Sequence, residues 1–267
     1  MSYNTELTEL ISTLTPARQE YVASLLKLSW FQNTAPEIQE EVLTLPEDFD
    51  GFIKDLSERP DEIGNVEVQR LQKLNRGNYL LIPVFEVRSE STNQIFTYEY
   101  VSWKTGQHGG MRGIIFLETN GKITHFIVNR AHKFSTTREV LDSIGGLFLR
   151  IDKNNPTNFP QKIEQEICHH LGIKNLTFKK IVDLGRVFPD YGMTNNSSYL
   201  FAAIIDVTNF PNVTNKSDFY REHKPMGLEI EIVHVSEFFD FVKKTEDNYF
   251  LGAAARVLVS KEIDLEI

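Results

Sequence analysis

The sequence predicts a mixed α/β (α+β) protein, a mixed β-sheet sandwiched by helices, with an N-terminal α-helical extension. Three observations predict it. Residues 1–64 place apolar side chains at three- and four-residue spacing, the helical period. Residues 79–128 change to strand-like runs that include an Asn120-Gly121 turn. Beyond them, a helical pattern at 159–171 and two at the C-terminal end are interspersed with further strands.

In chain order, Leu7, Leu10, Ile11 and Leu14 predict a first short helix. Thr15-Pro16 reads as an N-cap followed by proline at the first helical position, and Tyr21, Val22, Leu25, Leu26 and Leu28 continue its apolar face. Further helices are predicted from Pro36 to about Leu45 and from Glu47 to Ser57. This extension is read as a packing or dimerisation element. Arg59 to Gly64 marks the boundary, so the expected division is 1–64 and 65–267. Strands are predicted at 79–87, 94–103, 113–117 and 123–128. The helix at 159–171 keeps Ile163, Ile167 and Leu171 at four-residue spacing, with Gly172 as a stop. Strands at 176–187, 199–207 and 228–235 follow, then helices at 236–244 and 248–259.

With 41% hydrophobic and 24% charged residues, the chain can bury a core, which excludes disorder as its main state. One cysteine, Cys168, excludes an internal disulfide. A net charge of −9 repels nucleic-acid backbones, and the densest basic stretch, Arg130 to Lys133 with Arg138, is too sparse for a duplex track. Such a stretch suits one or two phosphates. No run reaches the roughly 18 apolar residues of a membrane span, and no secretory signal is visible, so the expected location is the cytoplasm. There is no nucleophile elbow, P-loop or Cys-x-x-Cys pair. Cys168 and His169 are adjacent on a helix and point apart, so they do not form a nucleophile pair. The segment Gly106 to Arg112 reads either as a plain connecting loop or as a phosphate-approaching loop with His108 and Arg112 donating. Trp103, Phe188, Tyr191 and Tyr199 are candidates to stack on a base, although Tyr199 also fits a core position.

The pair Gly145-Gly146, followed by the helix Gln165-Glu-Ile-Cys-His-His-Leu-Gly-Ile173, resembles the Nudix superfamily, in its ADP-ribose and nucleoside-diphosphate-sugar pyrophosphatase branch. Gly146 matches the opening glycine of the Nudix box. Gln165 stands at the box arginine, Glu166 at the glutamate beside it and Ile167 at the aliphatic place. His169 and His170 replace the two central glutamates, and Gly172-Ile173 closes the box. The interval from Gly146 to Gln165 is five residues longer than the family's, around Asp152 to Pro156. Lys133 stands where the branch has an arginine, Asp142 where it has a glutamate, and Phe188 to Gly192 resembles its Pro-Gly loop. The likeness runs over about residues 65 to 260.

The resemblance implies a pocket for a nucleoside diphosphate sugar such as ADP-ribose, with Lys133, Arg130, Arg112, Gly145, Gly146 and Tyr191 on the ligand. It implies Mg²⁺ or Mn²⁺ for family hydrolysis, and a homodimer. Glu164 and Glu166 are the candidate catalytic acids. Glu166 and His170 share a helix face, and with His169 they form the candidate metal ligands, a set that suits Zn²⁺ better than Mg²⁺. The family's further catalytic acid falls on Asn195 or Asn196, and neither amide is a base. The expected function is therefore ligand binding with weak or no hydrolysis. The alternatives are an active pyrophosphatase using rearranged acids such as Asp152, Glu164 or Glu166, and a non-hydrolytic, dehydratase-like nucleotide-sugar enzyme.

Overall fold

The computed structural model describes residues 11, 13–133, 135–146, 159–171, 176–208 and 229–265. The side chains of His108, Phe159, Glu166, His169, His170 and Leu171 are outside that set. The chain forms two compact units, Met1–Gly109 with Asp190–Asn196, and Gly110–Pro189 with Ser197–Ile267.

The first unit begins with helices α1 (Pro16–Leu25), α2 (Ser29–Gln32), α3 (Pro36–Leu43) and α4 (Asp50–Ser57), with a 3-10 turn at Glu47–Phe49. Thr15 caps α1 by accepting from the Arg18 N–H at 3.4 Å, with Pro16 behind it as the sequence predicts. An antiparallel sheet follows in the order β1 (Glu62–Ile63), β2 (Val66–Arg76), β3 (Leu80–Ser89) and β4 (Ile95–Glu99), with β5 (Ser102–Trp103) also pairing β3. The strand predicted at 94–103 is thus two strands on one partner.

Helices and strands of this unit share one core. Val22, Trp30, Phe31 and Phe52 from the helical segment bury against Leu71, Leu81 and Phe85 from β2 and β3. The division therefore falls after Gly109, whereas the change of pattern at 64 marks only a change of secondary structure. Strand β2 escapes the sequence pattern for a local reason. Register shifts at Val68/Arg70 and Leu71/Lys73 put its buried residues, Val68, Leu71 and Leu74, three apart instead of two.

The second unit contains β6 (His108–Thr119), whose first two residues count with the first unit, β7 (Lys122–Lys133), β8 (Arg138–Asp142), β9 (Ile144–Gly146), α5 (Phe159–Leu171), β10 (Thr177–Val187), β11 (Ser197–Asp206), β12 (Glu229–His234), α6 (Phe238–Lys244) and α7 (Asn248–Ser260). The sheet order is β10-β11-β6-β7-β12, with β8 on β7 and β9 on β6. Strand alternation gives the sheet two apolar faces. Ile114, Phe116, Phe126, Val128 and Leu200 pack with Phe238, Phe250, Ala253 and Val257 of α6 and α7. Ile115, Leu117, Ile127, Phe201 and Ala203 pack with Ile163 and Ile167 of α5. Helices thus cover both faces, as the sequence predicts. The β6–β7 hairpin turns through Asn120 (φ 51°) and Gly121 (φ 81°), the left-handed pair that an Asn-Gly turn supplies.

His125 of β7 lies directly across from His234 of β12, with ring centroids 5.2 Å apart. Partial burial, and then the charge of His234, hold the His125 pKa below the usual histidine value. The unfolded chain therefore takes up this proton more readily. Stability present above the ordinary histidine pKa of about 6.5 is lost as pH falls below it. His125→Gln is expected to flatten the melting temperature's decline between about pH 7 and 5; an unchanged slope in that variant would remove His125 as its source.

Candidate functional site

Strands β6 and β7 pair from Ile115/Ile127 to the turn and then part. The β8–β9 segment fills the fork: β8 pairs Asn129 to Lys133 of β7, and β9 pairs Met111 to Gly113 of β6. Gly145 sits opposite Arg112 and Gly146 opposite Met111. A Cβ on Gly145 would run into the Met111 carbonyl, so the position requires glycine. At the fork, Ser143 donates its N–H to Asp247 Oδ2 at 2.7 Å, and the buried Asn129 donates to the Ser143 carbonyl at 3.2 Å. Helix α5 packs against β9, bringing the box-like helix beside the glycine pair.

The candidate ligand residues separate by what their charges already meet. Lys133 pairs with Asp142 at 2.5 Å. Arg130 binds both Glu231 and Glu139, and these hydrogen bonds raise its pKa further. Both cations are therefore engaged by carboxylates of the protein. Arg112 belongs to β6, which begins at His108, so the loop predicted from Gly106 to Arg112 ends five residues early. By alternation Arg112 shares the face of Ile114 and Phe116, and its guanidinium lies 5.8 Å from the centre of the Tyr249 ring of α7. Tyr191 is 78% exposed, on the segment Asp190–Asn196 that belongs to the first unit.

A cavity of about 590 Å³ lies beside β8, β12 and α6. Glu139, Asp142, Glu231, Glu237, Asp240, Glu246 and Asp247, seven carboxylates, line it against the three cations Lys133, Arg138 and Lys244. This excess of negative charge disfavours a bare diphosphate there.

On α5, Ile163 and Ile167 face the core and Glu164 is half-buried. Partial burial, with a smaller contribution from Glu164, pushes the Cys168 thiol pKa up, so Cys168 is a poor thiolate nucleophile. The side chains of Glu166, His169 and His170, the predicted acid and metal ligands, lie outside the described residues, as does the segment 152–156. Asn195 donates to Asp55 at 3.3 Å, and the buried Asn196 accepts from the Trp103 N–H at 3.3 Å. Both amides tie their segment to the first unit.

The four candidate stacking residues divide between the two units. Phe188 and Tyr199 flank Arg186 at 5.6 and 5.5 Å, whereas Trp103 and Tyr191 belong to the first unit. Sequence reasoning missed Ser143, Asp247 and Tyr249. Asn129, a polar residue inside the apolar run of β7, is the one signal in the sequence that could have pointed to the fork.

No protein-family model matches the chain, and no curated protein matches it. Among solved structures it is similar to a protein described as an ADP compounds hydrolase, at 12% identity and a TM-score of 0.52. The match covers 75% of this chain and 95% of that one. At this identity the likeness concerns the fold, and the chain has a Nudix-like α+β fold.

Proposed function

We propose that the protein binds a nucleoside diphosphate derivative of the ADP-ribose kind, with weak or no hydrolysis. The observation that carries this reading is the fork, where the glycine pair of β9 packs directly against Met111 and Arg112 of β6 in a Nudix-like fold. The similar solved protein is described as acting on ADP compounds, which supports the ligand class. Hydrolysis in this family uses divalent cations, and hard cations take oxygen ligands. The donor set of α5 does not fit a two-cation site, since it offers the carboxylates Glu164 and Glu166 with the imidazoles His169 and His170. A homodimer is the assembly we expect, supported by Ile95, Phe96 and Tyr98, which stay exposed on β4.

A thermal-shift titration with ADP-ribose, alongside an assay for AMP release, tests the reading. Ligand at 100 times its Kd should stabilise the folded protein by about 2.7 kcal/mol. We expect that shift without added metal and no turnover with Mg²⁺ or Mn²⁺. Metal-dependent AMP release would instead establish a hydrolase working through rearranged acids. A flat titration would sink the ligand class.

A further inference from the structure

We propose that Arg112, resting on Tyr249, is the anion-receiving group of the second unit and takes a phosphate oxygen pair of the ligand. The inference rests on the binding reading above and relocates its charged contact. Among the described residues of this unit, every other arginine is engaged by oxygen. Arg130 and Arg138 meet carboxylates, Arg186 meets the Ser197 hydroxyl, and Arg256 donates to the carbonyls of Leu184 and Arg186. Arg112 is half-buried and, among the described residues, its guanidinium meets only an aromatic ring. A bound anion would supply the acceptor that this guanidinium lacks within the protein.

The local geometry suits that role. A ring contact leaves the guanidinium edges available, and those edges present paired N–H groups that match two oxygens of one phosphate. Arg112 projects on the α6–α7 face of the sheet, while α5 covers the other. An anion held there would lie on the face away from the carboxylates of α5.

The test measures affinity of the full-length chain for ADP-ribose and for inorganic pyrophosphate by calorimetry, in wild type, Arg112→Gln and Lys180→Gln. The last variant makes the same charge change on β10, where Lys180 pairs with Glu262. Arg112→Gln should weaken both probes about 10- to 100-fold, and Lys180→Gln should leave them within about twofold. In parallel, pyrophosphate should protect Arg112 of wild type from phenylglyoxal, mapped by mass spectrometry, a readout that needs no variant to fold. Wild-type affinity in Arg112→Gln, or modification of Arg112 undiminished by pyrophosphate, overturns the assignment while leaving ADP-ribose binding in place. Failure of wild type to bind either probe overturns both.

Discussion

Phe126→Ala is expected to destabilise the second unit by about 3–5 kcal/mol, the cost of truncating a fully buried aromatic ring. Phe126 is completely buried on β7. Its ring meets Phe238 and Phe241 edge-on at 5.4 Å each and Phe250 at 6.1 Å. These partners come from α6 and α7, so the substitution removes one of the contacts that hold both helices to the sheet. Neighbouring Phe239 is 44% exposed, and Phe239→Ala should cost within about 0.5 kcal/mol. Urea unfolding of the two variants reads the difference. A loss below about 1 kcal/mol for Phe126→Ala would mean that α6 and α7 do not pack as described.

Asp50→Ala is expected to cost about 3 kcal/mol, through a different mechanism. Arg18 is buried to 2% exposure in the core of the first unit. Its guanidinium meets Asp50 at 3.3 Å and the carbonyls of Leu43 and Leu45. Removing the carboxylate leaves a buried positive charge with neutral acceptors alone. Asp50 retains 25% exposure, which places the cost at the low end of the range for broken buried pairs. It also stands in the first turn of α4, where its charge favours the helix N-terminus. Replacing both partners, as Arg18→Met with Asp50→Leu, should cost less than Asp50→Ala alone, because no charge is then left unpaired. The reverse order of stabilities would show that Arg18 is solvated.

Much of the fold is legible in the residues. The Asn120-Gly121 hairpin, the Thr15-Pro16 cap, helix 159–171 and strands β10, β11 and β12 all fall where local patterns put them. What escapes has identifiable causes. Two register shifts disguise β2. Strands β8 and β9 have five and three residues, too few for alternation to register. One core spans helices and strands across residue 64, so the change of pattern there conceals a continuous packing unit.

The candidate site divides along the same line. Gly145, Gly146 and Arg112 are visible as residue types near a box-like helix, and steric need at Gly145 gives one of them a local reason. Which cations remain available is another matter. Arg130 meets Glu231 across 101 positions of sequence, and Ser143 meets Asp247 across 104. Secondary structure, turns and the inward faces of strands depend on neighbours within a few residues, so the chain alone determined them. The pairing of charges and the sharing of a core depend on groups brought together from distant positions. Only the tertiary structure decided that Lys133 and Arg130 are held by carboxylates and that Arg112 rests on a tyrosine ring.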